Sequence, residues 1–93
     1  MRQEGACLRV RVTGRVQGVG YRAWTQERAR GLGLRGWVRN EPDGAVVALV
    51  AGDAAAVGRL LEAMRAGPRH AAVAAVDTSP AEGPVPDGFE IQS

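Results

Sequence analysis

The chain of 93 residues holds one cysteine, one histidine, four aromatic side chains and no lysine. Each scarcity removes a class of chemistry. Cys7 alone cannot form an intramolecular disulfide or a cysteine-based zinc cluster. It reads as a small apolar filler near the start of a strand. His70 alone excludes multi-histidine metal sites, has no serine or cysteine at a spacing that would make a nucleophile pair, and is expected on the surface. Without lysine there is neither a Gly-Lys-Ser/Thr phosphate motif nor a Schiff base. No apolar run approaches the ~20 residues of a membrane span. Arg2 is followed by Gln3, Glu4 and Gly5, so residues 1–20 lack the apolar stretch of a secretory leader, and a cytoplasmic protein is expected. The 12 basic residues, all arginine, sit beside 16 alanines and give a net charge of only +2. Most of these arginines are expected to be solvated, and the charge does not by itself imply nucleic acid. The length fits one domain, residues 1–93, with a two-layer core.

What is present is periodic. Leu8, Val10 and Val12 alternate with Arg9, Arg11 and Thr13, which predicts a strand over 8–13 with one buried face. Gly14, Gly18 and Gly20 punctuate a loop. A helix is predicted over 21–32, with Tyr21, Thr25, Ala29 and Leu32 on one face and Trp24 at its margin. Strands are predicted over 34–40 and 45–51, joined by the turn Pro42-Asp43-Gly44. Asp53 is a good N-cap for a helix whose Val57, Leu60, Leu61 and Met64 share a face, and Gly67-Pro68 stops it. An alanine-rich strand over 72–78, a loop over 79–88 with three prolines, and a short strand over 89–92 complete the order β-α-β-β-α-β. Two helices beside a mainly antiparallel sheet make an α+β, ferredoxin-like two-layer sandwich with both helices on one face. In that arrangement the first two strands run parallel with the third between them. Their C-terminal ends then bring together the loop 14–20, Tyr21-Arg22 and Asn40.

Glycines between a strand and a helix allow backbone N–H groups to cradle an anion, and a helix start adds its own free N–H groups. Arg22 stands in the first turn, against the helix dipole, where a guanidinium can grip a phosphate through two N–H groups. The same glycines also suit a simple tight turn with a solvated Arg22. Asn40, the only asparagine, has two readings as well: a turn residue bonding its own backbone, or an amide that holds a water in line with the anion.

The segments Gly14-x-Val16-Gln17-Gly18-Val19-x-Tyr21-Arg22 and Gly36-Trp37-Val38-Arg39-Asn40, followed by Gly44 and Gly52, resemble the two signature motifs of the acylphosphatases. The resemblance runs from about Leu8 to Ile91 with the same order of elements. It implies a ferredoxin-like fold and hydrolysis of the carboxyl–phosphate bond of acyl phosphates, with no metal and no cofactor. By position, the phosphate falls to Arg15, Val16, Gln17, Gly18, Val19 and Gly20 together with Arg22. Arg22 and Asn40 are the implied catalytic residues, Asn40 orienting the attacking water. The implied partners are small-molecule acyl phosphates, with inorganic phosphate or sulfate as inhibitor, no nucleic acid and no membrane, and the enzyme is expected to be a monomer with broad acyl tolerance. Tyr21 stands where phenylalanine is commoner, and its hydroxyl needs a partner.

So few groups suffice because the leaving carboxylate, with a conjugate-acid pKa near ~4.3, departs unprotonated. The loose transition state carries its charge on phosphoryl oxygens. Three rival readings exist. RNA-recognition modules share the fold, and Arg35-Gly36-Trp37-Val38 is loosely similar to their aromatic motif, but they stack bases on aromatics of two central strands and the first strand here has none. Ligand-sensing regulatory domains of this topology lack the doubled motif. An acylphosphatase-like domain of a carbamoyl-transferring maturation protein is the third. The short chain ending at Ser93 leads instead to the expectation of a stand-alone enzyme.

Overall fold

The computed structural model describes residues 5–92. Seven elements follow in order: β1 (Gly5–Arg15), α1 (Tyr21–Gly31), β2 (Arg35–Asn40), β3 (Val46–Asp53), α2 (Ala54–Ala66), β4 (Ala72–Pro80) and β5 (Phe89–Ile91). The strands form one sheet in the order β4-β1-β3-β2-β5. β3 is antiparallel to both β1 and β2, β4 is antiparallel to β1, and β5 runs parallel to β2. The expected α+β sandwich is the observed one, with β3 between the parallel β1 and β2.

The alternation read from the sequence decides which face is dry. Val10, Val12, Val38, Val46, Ala48 and Val50 point to the helices and pack against Tyr21, Ala29, Val57, Leu60 and Met64. The other face of β3 is buried as well. Val47 lies opposite Arg11 and Arg39, and Leu49 opposite Arg9 and Trp37, so arginine stems and an indole ring cover it. Asp53 caps α2 as its residue type predicts, accepting a hydrogen bond from the Ala56 N–H at 3.1 Å.

Three strands run further than expected, each through pairing that no local pattern announces. β1 starts at Gly5 and runs on to Arg15. After a register shift between Thr13 and Gly14, Gly14 and Arg15 lie opposite Val73 and Ala72 of β4. The loop is therefore shorter than 14–20 and spans residues 16–20. β3 continues through Gly52 and Asp53 because Ala6 and Gly5 pair with them. β4 extends to Pro80, opposite Leu8. His70 is exposed, as expected, and Cys7 is half-buried in β1.

Candidate active site

Because β1 and β2 both run antiparallel to β3, their C-terminal ends reach the same edge of the sheet. Val46 of β3 sits opposite Val12 on one side and Asn40 on the other. The chain leaves β1 into the loop 16–20 and enters α1 at Tyr21. Val16 is buried and pins the loop to the core. Gly18 and Gly20 have φ of 76° and 80°, a conformation that side-chain-bearing residues adopt only with strain. Gly20 is the N-cap of α1, has no side chain to cap it, and is followed by no acidic residue in the first turn. The free N–H groups and positive dipole end of α1 are thus met by no capping side chain and no carboxylate of the first turn.

These elements enclose a cavity of about 200 Å³ lined by Val16, Gly18, Gly20, Arg22, Asn40 and Ile91, with Tyr21 and Ala23. Larger hollows lie elsewhere, one of about 570 Å³ beside Cys7 and Arg35 at the opposite end of β1 and β2. Size does not decide between them. The smaller cavity is where an uncapped helix start, a guanidinium and an amide converge. Asn40 lines this cavity, and its Oδ1 atom is buried with no hydrogen-bond partner in the protein. A buried acceptor left unpaired costs roughly 1–3 kcal/mol, and Thr25 Oγ1 shares that state. The turn role considered for Asn40 belongs to another residue: Asp43 Oδ1 accepts from the Ala45 N–H at 3.0 Å, and Asn40 lies in β2 opposite Val46.

Neighbouring side chains hold the frame. Gln17 turns away from the cavity and donates through Nε2 to the carbonyl oxygens of Glu41 (2.8 Å) and Ala45 (2.9 Å). Arg39 Nε pairs with Glu41 Oε2 at 2.6 Å, and its guanidinium lies 4.7 Å from the Trp37 ring centre. Arg11 pairs with Asp43, which holds that exposed carboxyl below its usual pKa. The hydroxyl of Tyr21 finds its partner in the Met64 carbonyl, at 2.7 Å. This satisfies one of the free carbonyls in the last turn of α2. Burial pushes the Tyr21 phenol far above its usual pKa. Among the described residues, no three His, Cys, Asp or Glu side chains gather to hold a metal.

Of the positions singled out by sequence, Arg22, Asn40, Val16, Gly18 and Gly20 meet at the cavity. Arg15 is exposed at the end of β1, opposite Ala72. Val19 packs against the core, and the Gln17 side chain serves the hairpin turn. Sequence reasoning missed Ala23 and Ile91 in the lining. Ile91 is brought there only by the parallel pairing of β5 with β2, which no local pattern encodes.

A profile of the acylphosphatase family matches residues 8–91. The chain belongs to the acylphosphatase family. It is 49% identical over 82 residues to an acylphosphatase of Rhizobium etli, covering 88% of this chain and 87% of that one. The solved acylphosphatase of Coxiella burnetii superposes with a TM-score of 0.90 at 32% identity, covering 95% of this chain and 93% of that chain. Full-length HypF in its phosphate- and nucleotide-bound form aligns along 12% of its length with a TM-score of 0.86. At 18% identity that likeness shows the fold alone. In this acylphosphatase-family chain the motif residues Arg22 and Asn40 line the small cavity, not the larger hollow near Cys7.

Proposed function

We propose that the enzyme hydrolyses acyl phosphates by holding the phosphoryl group between the 16–20 loop and Arg22 while Asn40 orients the attacking water. The reaction is R–CO–OPO₃²⁻ + H₂O → carboxylate + phosphate. The observation that supports this reading is the meeting at one cavity of Arg22, the uncapped start of α1 and Asn40, whose buried Oδ1 has no partner in the protein. An acceptor at that point fixes a water through one of its O–H groups and leaves an oxygen lone pair for phosphorus. The proton passes to a phosphoryl oxygen of the substrate, and the leaving carboxylate needs none. Glu41 and Asp43 are poor bases here, since Arg39 and Arg11 already engage them and their charge would repel the substrate. Catalysis then rests on positioning and electrostatics, and no step is assigned to a metal. The same proposal has inorganic phosphate or sulfate as competitive inhibitor, and a monomer acting in the cytoplasm without nucleic acid.

Phosphate release from benzoyl phosphate and from an alkyl phosphate monoester, each with chelator present, tests the reading. Release from the first and not the second is expected. Equal release from both, or loss of benzoyl phosphate hydrolysis with chelator, would overturn it.

A further inference from the structure

We infer that Gln17 is a positioning residue that sets Asn40 against the phosphate loop, an inference that rests on the reading above. Gln17 sits in the 16–20 loop, yet both N–H bonds of its Nε2 go to the hairpin end that carries Asn40. The accepting carbonyls belong to Glu41 and Ala45, the two residues that close the turn. The Glu41 N–H donates to the Ala45 carbonyl at 2.8 Å, and the Gly44 N–H donates to the Glu41 carbonyl at 3.1 Å. Gln17 thus grips both closing carbonyls of the turn, one residue beyond Asn40. Among the described residues, these are the hydrogen bonds that join the loop to this turn.

Each half of the site has other anchors. The phosphate half is one continuous segment, fixed by buried Val16, by Val19 against the core and by the Tyr21–Met64 hydrogen bond. The Asn40 half is fixed by the β2–β3 ladder and the Arg39–Glu41 pair. Gln17 sets the spacing between the halves. Phosphate affinity needs only the first half, whereas turnover needs phosphate and water in register, where a small misplacement is expensive. The Gln17 side chain touches neither the cavity nor, by this reading, the substrate, so its effect on rate runs through Asn40.

A double-mutant cycle on benzoyl phosphate hydrolysis tests this. Gln17→Met keeps the length and removes both donors. It is expected to lower kcat by about tenfold while the inhibition constant of inorganic phosphate stays within about twofold. In an Asn40→Ala background the same change is expected to lower kcat by less than about twofold, because the positioned group is already gone. Equal losses in both backgrounds, an inhibition constant that rises in step with the loss of kcat, or an unchanged kcat would each overturn the role. Gln17→Glu, similar in shape but without the donors when ionised, gives a second variant under the same criteria. Failure of both variants to fold even with added phosphate would also overturn it, since Gln17 would then be a residue of the fold. Failure of the wild type to hydrolyse benzoyl phosphate would instead sink the underlying reading.

Discussion

Arg22 stands in the first turn of α1, where the helix dipole disfavours a cation by a few tenths of a kcal/mol. Among the described residues no carboxylate pairs with it. In the proposed function it serves the phosphate, and a bidentate grip is what a guanidinium offers over an ammonium. Arg22→Lys is therefore expected to recover little of the activity lost in Arg22→Ala, and near-wild-type turnover in the lysine variant would contradict the grip. Asn40→Ala should behave differently. It removes a buried acceptor that the protein leaves unpaired, and its side chain holds no part of the turn, so the melting temperature is expected to stay level or rise. Its kcat should fall by about 10²–10³-fold, with heat stabilisation by phosphate retained. Tyr21 belongs to the scaffold. Its phenol must stay protonated in the fold, so its folded pKa lies above the unfolded value of 10.0. Stability from that group is complete below pH 10 and is lost as pH rises toward the folded pKa. Tyr21→Phe should cost about 1 kcal/mol near neutrality, or roughly 4–8 °C in melting temperature. Melting curves taken from pH ~7 to ~11 should show the gap between variant and wild type closing at the alkaline end.

At the scale of the element, the β2–β3 hairpin carries Asn40 and is expected to tolerate little change in its first strand. Gly36 has φ of 142°, and a Cβ there would stand 1.8 Å from the backbone oxygen of Leu49. Gly36→Ala is expected to cost more than about 3 kcal/mol, through the clash and the strained backbone. Chemical denaturation would measure it, and a loss below about 1 kcal/mol would show that the hairpin yields there. The alternation of β1, the Asp53 cap and the i, i+3, i+4 pattern of α2 were legible because each is written within a few residues. The ends of β1, β3 and β4 were not, because Gly14 and Arg15 become strand only by meeting Val73 and Ala72. The site divides in the same way. Arg22, Asn40 and the glycines were legible through two motifs and a topology that brings them to one edge. The Gln17 staple was hidden, since nothing near Gln17 in sequence tells that its amide will face the carbonyls of Glu41 and Ala45. Gly36 stood in the sequence as the first residue of the second motif, and its close approach to Leu49 belongs to the paired sheet.

For the molecule as a whole, the proposed cradle, formed before substrate arrives, would make stability and ligand binding one equilibrium. Inorganic phosphate at about 100 times its dissociation constant should add roughly 2.7 kcal/mol to the fold. Melting that ignores phosphate at inhibitory concentrations would show that the cradle forms only with substrate. The strand order has a different consequence, which concerns how the chain is made. β1 lies between β3 and β4, with Leu8 opposite both Val50 and Pro80, so the first strand synthesised waits for partners from the far end of the chain. Closing such loops before the contacts reward them is slow, and refolding on the order of milliseconds to seconds is expected despite the small size. On the ribosome, a nascent chain that has reached Asn40 already carries every group assigned to the phosphate and the water. It has no cradle until β3 and then β4 emerge to seat β1.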